Sequence, residues 1–98
     1  MKLMTKEIAN KMPKLYATEN VLADDKIALV KYFSINGWRW YGVEFDPETK
    51  EFFGFVHGVE KEWGYFSLEE LERVNADARF NLIERDLYFE PTKISELE

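Results

Sequence analysis

The dipeptide Asn36-Gly37 constrains this chain more than any other feature, because it sits between two runs built for strands. Lys26 to Ile35 is rich in β-branched and aromatic residues, and Trp38 to Phe45 repeats that chemistry. Asn-Gly is the preferred filling of a two-residue hairpin turn, since both residues tolerate positive φ. It predicts an antiparallel hairpin with Ile35 opposite Trp38, Phe33 opposite Trp40, Lys31 opposite Gly42 and Leu29 opposite Glu44. The other face then carries Ser34 with Arg39, Tyr32 with Tyr41, Val30 with Val43, and Ala28 with Phe45.

The strands continue as a meander. Asp46-Pro47-Glu48-Thr49 has the chemistry of a type I turn, with Pro at its second position. A four-residue loop at 47–50 sets Glu51 opposite Asp46, Phe52 opposite Phe45, Gly54 opposite Val43 and Val56 opposite Tyr41. Glu51 to Gly58 is the third strand, Glu62 to Phe66 the fourth, and Leu82 to Glu90 a fifth that Pro91 ends. Thr5 caps a short helix that Pro13 stops near Met12. Ser67 with Glu70 forms a capping box opening a helix to about Val74, and Thr92 caps a terminal helix holding Ile94 and Leu97. The expected fold is α+β: one domain over residues 1–98, an antiparallel β-meander of four to five strands with short N-terminal, central and C-terminal helices.

Alternation assigns one face to Ala28, Val30, Tyr32, Tyr41, Val43, Phe45, Phe52 and Val56. This is the cleaner core face. The opposite face mixes Phe33, Trp38, Trp40, Phe53 and Phe55 with Lys31, Glu44 and His57. Eight Phe, five Tyr and three Trp in 98 residues are too many for one face to absorb, so the second needs cover from the chain's own helices or from a partner. Lys31, Trp38, Trp40, Glu44, Phe55 and His57 are therefore the candidate binding residues, aromatic rings beside scattered polar groups.

Charge narrows the function classes. The net charge is −6, and residues 44–72 hold nine acids against Lys50 and Lys61. No basic patch stands out, so direct nucleic-acid binding and attraction to anionic membranes are not expected. Glu48, Glu51, Glu60, Glu62, Glu69 and Glu70 form an acidic surface that either keeps the chain soluble or imitates a phosphate backbone. Trp38-Arg39-Trp40-Tyr41 has the composition of a base-stacking platform, but alternation sends Arg39 to the face opposite both tryptophans.

Chemistry is sparse. The absence of cysteine removes disulfides, thiolate metal sites and thiol nucleophiles together. His57 is the single histidine; Glu44 shares its expected face, but the spacing is no metal signature, and neither metal nor cofactor is expected. Ser34, Ser67 and Ser95 lack a nucleophile-elbow context, and the glycines form no phosphate-cradling loop. The N-terminal residues lack the apolar stretch of a secretory signal and no run approaches bilayer length, so the expected compartment is the cytoplasm.

Several strings taken together are informative. Leu15-Tyr16-Ala17-Thr18-Glu19, Trp38-Arg39-Trp40-Tyr41 with Glu44-Phe45-Asp46, and Phe52-Phe53-Gly54-Phe55-Val56 are followed by Gly64-Tyr65-Phe66-Ser67-Leu68-Glu69-Glu70-Leu71 and Ile83-Glu84-Arg85-Asp86-Leu87-Tyr88-Phe89-Glu90-Pro91. In these the chain resembles the family catalogued as domain of unknown function 2958, over nearly its whole length. The resemblance implies a short protein carried on bacterial plasmids, phages or integrated elements, and supplies no activity. The expected function is a non-enzymatic interaction protein that binds a protein partner, in one form an anti-defence mimic of nucleic acid. The alternative is a small-ligand binder or small enzyme built on Lys31, Glu44 and His57 in an aromatic pocket.

Overall fold

The computed structural model describes residues 2–97. The chain runs α1 (Lys6–Lys11), β1 (Ile27–Ala28), β2 (Val30–Ser34), β3 (Arg39–Asp46), β4 (Glu51–His57), β5 (Lys61–Ser67), α2 (Leu68–Ala78), β6 (Ile83–Arg85) and β7 (Thr92–Lys93). Five strands form one antiparallel sheet in the order β5-β4-β3-β2-β6, and β1 pairs with β7 in a separate ribbon. The α+β meander is the expected architecture. Two of the three expected caps are present: the Thr5 hydroxyl accepts from the Ile8 N–H at 3.1 Å, and the Ser67 hydroxyl from the Glu70 N–H at 3.2 Å.

The C-terminal third departs from expectation. The second helix runs on past Val74 to Ala78 and ends at Arg79, whose φ of 61° is left-handed. Of the strand expected over 82–90, only Ile83–Arg85 pairs, against β2. Thr92 caps no helix; it pairs with Ala28, its hydroxyl donates to the Glu90 carbonyl, and a single 3-10 turn follows at Ile94–Glu96.

The first hairpin closes with three residues, not two. The Ser34 N–H donates to the Trp38 carbonyl at 2.9 Å, the Gly37 N–H donates to the Ser34 carbonyl at 3.0 Å, and Gly37 takes a φ of 94°. Glycine at the left-handed third position is what a three-residue loop requires, so the Asn-Gly signal is real but its geometry differs. The pairs are Val30–Gly42, Lys31–Tyr41, Tyr32–Trp40 and Phe33–Arg39. Tyr32 therefore faces Trp40 rather than Tyr41, and β3 exchanges its faces relative to β2.

A bulge then reverses the alternation again. The loop at 47–50 has the expected length, with Asp46 opposite Glu51 and Phe45 opposite Phe52. Further along, Gly42 pairs with Gly54 and Trp40 with Val56, displacing the expected Val43 and Tyr41, because Val43 is an extra residue between Gly42 and Glu44. Without the bulge, Glu44 would follow Trp40 and Gly42 onto the apolar face beneath the helices. With it, Phe45 turns in and Glu44 turns away. The site tolerates only glycine opposite: a Cβ on Gly54 would lie 1.9 Å from the Tyr41 carbonyl oxygen.

The result is a sheet with a core on each side. On the helix-covered face, Leu3, Met12, Leu68 and Leu71 pack onto Val30, Tyr32, Phe45, Phe52 and Ile83. Phe52 stacks at 4.7 Å on Phe66 and lies 4.6 Å from Phe45. Tyr32 is fully buried and donates to the Leu3 carbonyl at 2.6 Å; burial raises its pKa well above the usual tyrosine value. On the back face, Ala28, Tyr41, Val43 and Phe55 pack with Ile94, and Trp63, Phe89 and Leu97 close the edges. The single core face read from the sequence is thus divided between two, and Val56 is only half-buried.

Candidate functional site

The register correction separates the six candidate binding residues. Trp38 and Trp40 lie on the helix-covered face; Lys31, Glu44, Phe55 and His57 lie on the back. Arg39 is on the back as well, opposite to the tryptophans, as its alternation implies.

The two tryptophans form a ridge where α2 stops covering the sheet. Their rings are 5.9 Å apart and tilted by 33°. The Trp38 indole rests on Gly58, where a Cβ would come within 2.4 Å of the ring. A cavity of about 230 Å³ on one side of Trp38 is lined by Ser34, Ile35, Asn36, Trp40, Val74, Leu82 and Ile83. Another of about 260 Å³ on the other side is lined by Val56, Gly58, Val59, Glu60 and Glu62. Trp38 is 36% exposed, Ile35 72% and Val59 91%, so the ridge is an apolar surface open to solvent. Ile35, Val74 and Leu82 complete it although no sequence motif marks them. Only the left-handed Gly37 loop and the full length of α2 bring them to Trp38.

The back-face residues do not converge on one site. Glu44 is 3% exposed and engaged: its carboxylate accepts from the Tyr16 N–H at 2.8 Å, from the Thr18 N–H at 3.0 Å and from the Thr18 hydroxyl. Lys26 completes the chain by donating to the Thr18 hydroxyl at 2.9 Å. The carboxylate thus holds the 16–18 loop against β3. The Tyr16 side chain beside it raises the Tyr65 pKa. Phe55 is core. Lys31 lies 3.7 Å from Asp86 and 5.9 Å above the Tyr41 ring centre.

His57 is separated from Glu44 by the register. Glu44 pairs with Phe53, and four residues at strand rise place His57 about 13 Å further along β4. His57 stands edge-on to Tyr41 and Phe55, at 5.2 and 5.0 Å. Its Nε2 is shielded from water and has no hydrogen-bond partner. Burial lowers its pKa, and Lys61, Arg39 and Lys31 lower it further. The Lys31 cavity, about 300 Å³ and shared with Phe33, Trp38, Arg39 and Asp86, brings Lys31 and Trp38 together but is lined by neither Glu44 nor His57. Among the described residues no three His, Asp or Glu side chains come together as metal ligands would.

The six acidic-surface residues are all exposed but form two groups. Glu51 pairs with Ser67 at the end where α2 begins, which places Glu48, Glu69 and Glu70 around that end. Glu62 pairs with Val56 at the opposite end, beside Glu60 in the turn. The length of β4, about 20 Å, lies between them.

Among the described residues no helix is long and apolar enough to cross a membrane. No curated protein and no solved structure matches the chain. Residues 3–96 match the model of the family described as protein of unknown function (DUF2958), and to that family the chain belongs.

Proposed function

We propose that this chain is a non-enzymatic interaction protein that grips a protein partner at the Trp38–Trp40 ridge. Trp38 carries the reading: a partly exposed ring, packed on Gly58 and Trp40, with a cavity on either side. A large ring already held in place loses little entropy on docking, and such rings dominate interface energetics. The ridge fits a segment with apolar anchors on both sides of the indole. Glu60 and Glu62 at its rim favour a basic flank on that segment.

The mobile-element setting that the resemblance implies makes the partner a host or element-encoded protein, met in the cytoplasm. Imitation of a phosphate backbone is the weaker form of the proposal, because the acidic residues are divided between two ends of the sheet. The test compares tagged wild type with Trp38→Ala, recovered from the native host and read by mass spectrometry, with thermal unfolding of both. The expected outcome is a stably folded variant whose partner recovery falls about tenfold or more. Equal recovery of the same proteins by both would overturn the proposal.

A further inference from the structure

The back face carries a feature that the sequence conceals. Arg39 pairs with His57 and His57 with Lys61, so three basic side chains stand side by side on β3, β4 and β5. Adjacent strands are about 4.8 Å apart, so Arg39 and Lys61 flank the imidazole from either side. Among the described residues neither Arg39 nor Lys61 has an ion pair. In a chain of net charge −6, with acids abundant elsewhere, this row is a local positive patch.

Two further observations set the anion's character. The cavity of about 300 Å³ between Lys31 and Arg39 adjoins the row and has Phe33 in its wall. That volume suits a small organic ligand. Asp86 lines the same cavity, Glu84 pairs across from Phe33, and Glu60 sits in the β4–β5 turn. These acids bound the row on both sides and disfavour a long polyanion.

We infer that the Arg39–His57–Lys61 row is the seat of a small phosphate ester whose organic part lies in the adjoining cavity against Phe33. Arg39 supplies a fork that matches phosphate oxygens and Lys61 a point charge, with the His57 ring between them. The basic row is on the opposite face of the sheet from Trp40; Trp38 and Ser34 line both the adjoining cavity and the ridge, but the assignment does not rest on the partner proposed there.

His57 is the only histidine, so its ring signals in an NMR titration of the full chain report the row without ambiguity. The groups facing it are Arg39 on β3, Lys61 on β5, Lys31 on β2 and the Tyr41 ring. Adenosine monophosphate is the probe, with inorganic phosphate, adenosine and a short single-stranded DNA as comparisons. The nucleotide should move the His57 signals saturably and raise the ring's pKa by roughly one unit, as an opposite charge does. Phosphate should act in the same direction more weakly, and adenosine should leave the signals in place. Arg39→Gln and Lys61→Gln should each weaken the nucleotide response about tenfold, equivalent to one charge-assisted contact, with an unchanged unfolding midpoint. No saturable response to the nucleotide, an equal response to adenosine, or tighter binding of the DNA would each overturn the assignment.

Discussion

Asn75 and Ile83 exchange two hydrogen bonds, side chain to backbone: the amide of Asn75 donates to the Ile83 carbonyl at 2.8 Å, and its oxygen accepts from the Ile83 N–H at 2.8 Å. A helix residue therefore gives the short edge strand β6 what a neighbouring strand would give it. Aspartate can replace the acceptor but not the donor, and sets a carboxylate against a carbonyl oxygen. Asn75→Asp should cost about 2–3 kcal/mol, at least as much as Asn75→Ala, in urea unfolding. An Asp variant as stable as wild type would show that the pair contributes nothing.

Gly54 makes the second prediction. Its Cα stands opposite Gly42 where the bulge brings the Tyr41 carbonyl within 1.9 Å of any added Cβ. Backbone, not a flexible side-chain end, is in the way. Gly54→Ala should cost more than about 3 kcal/mol and leave little folded protein at ambient temperature. Gly64→Ala on the next strand is the control, since its Cβ would meet nothing within 4 Å. It should fold normally by circular dichroism, and similar losses in both variants would remove the bulge as the cause.

The contrast between Gly37 and Gly54 explains how much of this fold was legible. The caps at Thr5 and Ser67 and the Pro47 turn are local, and each appears where its residues place it. Register is not local. Asn-Gly serves both two-residue and three-residue loops, and choosing the shorter one moved Trp38 and Trp40 to the wrong face. The bulge at Val43 had one readable sign: unbroken alternation would have placed Glu44 on the same face as Trp40, and a buried acid needs partners. Its partners, Tyr16 and Thr18, lie in a loop whose course no periodicity describes. The row of Arg39, His57 and Lys61 was hidden for the same reason, since it exists only across three strands in correct register.

His57 predicts a pH dependence. Burial and the surrounding cations hold its pKa below the unfolded value, so the folded state binds this proton less readily than the unfolded chain does. Stability from this group is complete above the unfolded imidazole pKa and is lost as pH falls through it toward the depressed folded value. Replacing the ring by Gln removes that component. In urea titrations between neutral and mildly acidic pH, wild type should lose more stability than His57→Gln. Parallel losses would mean that the imidazole is not destabilised by protonation.

Glu44 supplies the last prediction, because its carboxylate ties the 16–18 loop to β3. Both of its oxygens are acceptors: one takes the Tyr16 N–H, the other takes the Thr18 N–H and hydroxyl. Tyr16 is held at a φ of 72°, a conformation a tyrosine adopts only under constraint, at a cost on the order of 1–2 kcal/mol. Glutamine preserves the shape but converts one oxygen into an NH₂ group, which must then face an N–H donor whichever way the amide turns. Glu44→Gln should therefore lower stability by about 2–3 kcal/mol. Hydrogen exchange locates the effect: amides of Tyr16 and Thr18 should exchange faster than the global loss accounts for. The Leu29 N–H, bonded to the Gly42 carbonyl at 2.9 Å, should follow the global change alone. If the Gln variant keeps wild-type stability and slow exchange at both loop amides, the carboxylate is not what holds the loop.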